Sequence, residues 1–169
     1  EALVEEAEEW ENRIGPLISM GHRDMVASYV EIAVKDGAKV MCGGSASGPD
    51  AGSFFPPTVL CDLDHSSRAV QEEIFGPVAT VHPFKDEAEA LALANDTAFG
   101  LSGSVWTSDM IRARRFAEKM ETGMVWVNTW NERDLRVPFG GMKQSGSGRE
   151  GGRWSMDFFS EARNLCVKG

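Results

Sequence analysis

Between residues 1 and 12 the apolar side chains Leu3, Val4, Ala7 and Trp10 recur at helical spacing, while Glu1, Glu5, Glu6, Glu8, Glu9 and Glu11 fill the other faces. This pattern predicts a helix with a solvated acidic surface. Beyond Pro16 a second stripe of Met25, Val26, Tyr29, Val30 and Ala33 predicts a helix over residues 23–34 that packs on a sheet, with Gly37 as its stop signal. Residues 39–42 and 54–60 read as short strands. Between them, residues 43–53 are rich in Gly, Ser, Pro and Asp and read as a flexible surface loop.

From residue 78 onward the periodicity switches regularly. Strands are predicted at 78–84, 103–106 and 124–128, with helices at 86–95 and 108–121 between them. Ser108 occupies an N-cap position and Gly123 lies just past the last helical turn of 108–121. Strands alternating with helices of this length indicate an α/β fold with a parallel-sheet βαβαβ unit. Residues 129–152 have no hydrophobic period but carry Gly140, Gly141, Gly146, Gly148, Gly151 and Gly152, the mark of a long loop held in defined backbone shapes. A last strand pattern runs over 163–168.

Composition narrows the function classes. With 169 residues, 42% of them hydrophobic, the chain supplies one ordinary globular core or a large piece of one. A formal net charge of −9 repels a nucleic-acid backbone. No apolar run is long enough to span a bilayer, and the acidic start does not resemble an export signal. Cys42, Cys61 and Cys166 are odd in number and widely spaced, which argues for reduced thiols and a cytoplasmic setting. All three fall in or beside apolar strand patterns and read as buried, inert thiols. His22, His65 and His82 are scattered, so no metal site is expected.

The segment Gly146-Ser147-Gly148-Arg149-Glu150-Gly151 matches G-x-G-x-x-G, the fingerprint of a dinucleotide pyrophosphate site. The context contradicts that reading. No strand directly precedes the segment, and too little chain follows to supply a ribose-binding acid about 20 residues on.

Two longer motifs do name a family. Gln71-Glu72-Glu73-Ile74-Phe75-Gly76-Pro77-Val78 closely resembles a segment of aldehyde dehydrogenases. Pro138-Phe139-Gly140-Gly141-Met142-Lys143, continuing through Ser145-Gly146-Ser147-Gly148-Arg149-Glu150, resembles another, in the right order. Gly15-Pro16-Leu17-Ile18-Ser19, Phe55-Pro56-Pro57-Thr58-Val59-Leu60, Phe99-Gly100-Leu101-Ser102 and Gly123-Met124-Val125-Trp126-Val127-Asn128 extend the likeness over essentially the whole chain.

The resemblance implies that residues 1–169 are the C-terminal part of an NAD(P)-dependent aldehyde dehydrogenase catalytic domain. The nucleophilic cysteine, the general-base glutamate, the oxyanion-hole asparagine and the Rossmann cofactor segment are all expected upstream. On this reading no catalytic residue lies in the chain, Cys42 included, and the chain alone is expected to be inactive. Glu73 and Phe75 match positions that hold the nicotinamide ribose of NAD or NADP, and the rest of the cofactor is expected on the upstream segment. A carboxylate accepts hydrogen bonds from ribose hydroxyls, and an aromatic ring supports the sugar and base. Phe139 matches a residue lining the aldehyde pocket, Glu150 one linked to the proton path, and Asn128 a strand end opening onto the pocket.

Ahead of Pro138, Thr129-Trp130-Asn131-Glu132-Arg133-Asp134-Leu135-Arg136 resembles the W-x-x-R-D-L-R segment of hydroxymuconate and aminomuconate semialdehyde dehydrogenases. By that likeness Arg133 grips a substrate carboxylate, which a guanidinium fork does through two charge-assisted hydrogen bonds. Pairing of Arg133 and Arg136 with Glu132 and Asp134 is the competing arrangement. Asn131 and Glu132 depart from the subfamily, where apolar residues are usual. A homo-oligomer, dimer or tetramer, is the expected assembly, with the 163–168 strand pairing between subunits. A non-catalytic oligomerisation module derived from the same fold is the alternative reading.

Overall fold

The structure, a computed structural model, describes residues 14–45 and 52–169. The helix expected over 1–12 and most of the 43–53 loop lie outside the described residues. Contacts divide the chain into two compact units, Glu1–Pro83 and Phe84–Gly169.

In the first unit, helix α1 (Met20–Lys35) begins where Ser19 adopts an extended backbone and its Oγ accepts from the His22 N–H. It ends where the Gly37 N–H donates to Val34 O and the Ala38 N–H to Ala33 O, which satisfies carbonyls left over by the last turn. The helix starts three residues earlier than its apolar stripe suggested, because the Ser19 cap sets its start ahead of the stripe. Strand β1 (Lys39–Cys42) pairs antiparallel with β2 (Thr58–Cys61), and β2 pairs parallel with β3 (Val78–Thr80). Between β2 and β3 lies the one-turn helix α2 (Arg68–Gln71), capped by Ser67.

Three members of the stripe on α1, Val26, Val30 and Ala33, meet Phe55, Leu60, Leu63, Ala69 and Ile74 in one cluster, while Tyr29 packs half-buried at its edge and Met25 is exposed. Val26 and Leu60 are wholly inaccessible. Side chains of this kind each contribute about 1.5–3 kcal/mol when fully buried.

The second unit contains α3 (Glu87–Asn95), β4 (Phe99–Gly100), β5 (Ser102–Val105), α4 (Met110–Ala117), β6 (Met124–Val127), β7 (Met142–Lys143) and α5 (Gly152–Phe159). β5 and β6 pair in parallel and, with α4 between them, make a βαβ unit. β4 and β7 pair antiparallel. The α/β class with parallel pairing is therefore present. The expected βαβαβ run is shared between sheets, with β3 beside β2 and β5 beside β6.

Two local expectations are corrected. Asp109, not Ser108, caps α4: its Oδ1 accepts from both the Ile111 and Arg112 N–H groups. Gly123 is not a helix stop, since α4 ends at Ala117. A Cβ there would overlap the Gly140 carbonyl, so close backbone approach is what the glycine permits. Residues 163–168 are exposed and form no ladder with the other described residues.

Candidate functional site

Residues 72–76 alternate between anchored and open positions. Glu72 ends α2 and its N–H donates to Arg68 O. Ile74 is buried in the core cluster. Gly76 packs so tightly on α1 that a Cβ would come within 2.6 Å of Val26 Cγ2. The residues between them, Glu73 and Phe75, are exposed. Phe75 has φ of 52° and is 73% exposed, a costly combination for a bulky aromatic residue. The turn thus holds a carboxylate and a ring out to solvent together, with the parallel β2–β3 ladder fixing its far end through Thr58 N–H to Pro77 O.

In the second unit Arg133, Phe139 and Glu150 share the wall of one cavity of about 300 Å³, together with Trp126, Glu132 and Leu135. The backbones of Phe139 and Glu150 exchange two hydrogen bonds, at 2.8 and 2.9 Å, which closes the glycine-rich loop on itself. The Arg133 guanidinium carbon lies 4.0 Å from the Phe139 ring centroid, a close cation–π stack. Asp134 is engaged elsewhere: its carboxylate binds Arg136 Nε and Nη2, which holds it below the usual carboxylate range. Of the two arginines, then, Arg136 has the acidic partner and Arg133 has the ring. No group of three or more His, Cys, Asp or Glu side chains fit to hold a metal occurs among the described residues.

The model of the aldehyde dehydrogenase family matches residues 1–165. The chain belongs to the aldehyde dehydrogenase family. It is 48% identical over 164 residues to a 2-aminomuconic 6-semialdehyde dehydrogenase of Pseudomonas sp, covering 95% of this chain and 33% of that protein. It is 48% identical over 158 residues to a 2-hydroxymuconic semialdehyde dehydrogenase of Pseudomonas sp. strain CF600, covering 91% of this chain and 32% of that one. A crystal structure of Staphylococcus aureus betaine aldehyde dehydrogenase in complex with NAD+ superposes with a TM-score of 0.82 at 44% identity, covering 86% of this chain and 29% of its own. The chain spans about a third of the length of the curated relatives it matches.

In this aldehyde dehydrogenase chain several motif residues around the site make contacts that the sequence did not specify. Trp126 and Trp130 pack with ring centroids 5.3 Å apart, and Trp126 Nε1 donates to Glu132 O at 2.8 Å, so the W-x-x-R stretch is tied to strand β6. Asn128, at φ of 53°, accepts from the Thr107 N–H and donates to Thr107 O. Its side chain thereby joins the ends of β5 and β6. Lys143 also serves the framework, donating to Asn95 O and pairing with Glu121 at 2.8 Å. Cys42 and Cys61 are partly buried, whereas Cys166, expected as a buried thiol, is exposed because residues 163–168 pack against none of the described strands.

Proposed function

We propose that this chain supplies the C-terminal portion of an NAD(P)-dependent aldehyde dehydrogenase that oxidises a carboxylated semialdehyde, such as a hydroxymuconic semialdehyde, to the acid. The observation that carries the reading is the Arg133–Phe139 stack inside a cavity. A guanidinium lying over a ring gives up one face and keeps its in-plane N–H donors available, which is the geometry a carboxylate needs for bidentate binding. The apolar wall supplied by Phe139 and Leu135 limits water around that contact and strengthens it.

Glu73 and Phe75 are the residues of this chain that fit the cofactor, NAD or NADP. An exposed carboxylate beside an exposed ring suits vicinal ribose hydroxyls and the sugar's apolar face. The cofactor, held mainly by upstream chain, would supply the hydride acceptor. Glu150, at the cavity wall with Arg133, is the candidate for relaying a proton away from the general base. The complete protein is read as a cytoplasmic homo-oligomer, a dimer or tetramer; the free cysteines and the exposed Leu165 and Val167 support this. No described helix is long and apolar enough to cross a membrane.

The test is Arg133→Ala in the complete enzyme. The loss of charge-assisted hydrogen bonds worth about 1.5–3 kcal/mol raises KM for a carboxylated semialdehyde by about 10- to 100-fold, with KM for a neutral aldehyde nearly unchanged. Equal losses for both substrates would remove Arg133 from the substrate site.

A further inference from the structure

Tyr29, Arg68 and Glu72 form a three-membered clamp immediately before the turn that bears Glu73. Arg68 donates from Nε to Glu72 Oε1 at 2.8 Å and from Nη2 to Oε2 at 2.9 Å, the bidentate fork. The Tyr29 hydroxyl donates to the same Oε2 at 2.7 Å, although 43 positions separate the two residues. The Arg68 guanidinium carbon also lies 5.8 Å from the Tyr29 ring centroid, so each pair in the trio is in contact. The bonds from Arg68 and then from Tyr29 hold the Glu72 carboxyl down to about 2, and its bond to Glu72 pushes the Tyr29 phenol above 10.0. The trio keeps one protonation state across the physiological range.

An exposed ion pair adds little to stability, and Ile74 and Gly76 already dock the turn onto α1. Three donors from two helices converging on one carboxylate do something different: they fix its direction. Glu72 is the last anchored residue before Glu73, so the backbone angle at which Glu73 leaves the fold is set there. Sites that bind through directed hydrogen bonds need their groups held to within about 0.5 Å, which requires a supporting layer of this kind.

We propose that Tyr29, Arg68 and Glu72 are positioning residues for cofactor binding, holding the turn so that the Glu73 carboxylate meets the ribose hydroxyls in one geometry. The inference rests on the reading of Glu73 as a ribose ligand. None of the three touches the cofactor itself; they act through Glu73.

The experiment compares Glu73→Ala, Tyr29→Phe, Glu72→Gln and Arg68→Lys in the complete enzyme, measuring KM for the dinucleotide, KM for the aldehyde, kcat and Tm. Loss of a charge-assisted bond or of its alignment gives about a 3- to 10-fold rise in dinucleotide KM for Tyr29→Phe and Glu72→Gln, with aldehyde KM and Tm nearly constant. Arg68→Lys keeps the charge without the fork and falls between wild type and Glu72→Gln. If Glu73→Ala raises dinucleotide KM while the clamp variants leave it unchanged, or lower Tm and shift both KM values together, the positioning role is overturned and the ribose reading stands. If Glu73→Ala itself leaves dinucleotide KM unchanged, the ribose reading falls and the clamp's role falls with it.

Discussion

A methyl group at position 123 has nowhere to go. It would collide with the Gly140 carbonyl and come within 2.8 Å of the Gly140 carbonyl carbon, both backbone atoms that cannot swing aside. Gly123→Ala is therefore expected to destabilise the fold by more than about 3 kcal/mol, by the mechanism of forced overpacking. Gly15→Ala, whose Cβ would meet nothing within 4 Å, is the control. Thermal unfolding of the two variants checks this, and equal Tm values would contradict it. The sequence offered a different explanation for Gly123, because a glycine after a helical stretch looks like a stop signal whether or not the helix reaches it. Arg133 was legible only as a member of a motif. That it stacks on Phe139 while Arg136 takes Asp134 depends on loop geometry that no local pattern encodes.

At the scale of elements, those with a strong hydrophobic period or a side-chain cap were readable, notably α1, α3, β1 and β6. The short ones were not. β4 and β7 have two residues each and exist through pairing with one another, and α5 follows a glycine N-cap that makes no side-chain hydrogen bond. The Tyr29–Glu72 contact joins two helices whose sequences give no hint that they meet. Capping chemistry is testable at this level: Ser19→Ala removes the acceptor for the His22 N–H and should cost about 1 kcal/mol, measured by denaturant unfolding.

A second element-level expectation concerns pH. His82, just past β3, packs edge-to-face on His65 at 5.3 Å, and its Nε2 is buried with no partner among the described residues. Burial first, and the charge of His65 second, push its pKa below 6.5. The unfolded chain therefore takes up a proton near 6.5 that the folded chain refuses. Stability is fully present above that value and falls as the pH drops below it, until the folded state also protonates. His82→Gln should flatten the stability profile in the window just below 6.5. An unchanged slope would show that the pair is not strained by protonation.

For the whole molecule, the distribution of the core is the decisive feature. Among the described residues, all the buried apolar side chains except Ala113 belong to the first unit. The second unit leaves Met156, Phe158, Phe159, Leu165 and Val167 largely open to solvent. This accords with a chain that spans about a third of its relatives' length. It also bears on cofactor binding, since on the proposed reading Glu73 and Phe75 supply only the ribose contacts and the rest of the cofactor is held by upstream chain. Calorimetric titration of the isolated chain with NAD should show no tight binding, and micromolar affinity would overturn that expectation.

The uneven core has a consequence for proteolysis. Backbone becomes cleavable where it opens readily, and opening is cheap where few apolar groups hold it shut. Limited digestion of the isolated chain should cut within residues 84–169 before it cuts within residues 54–83, as the masses of the products will show.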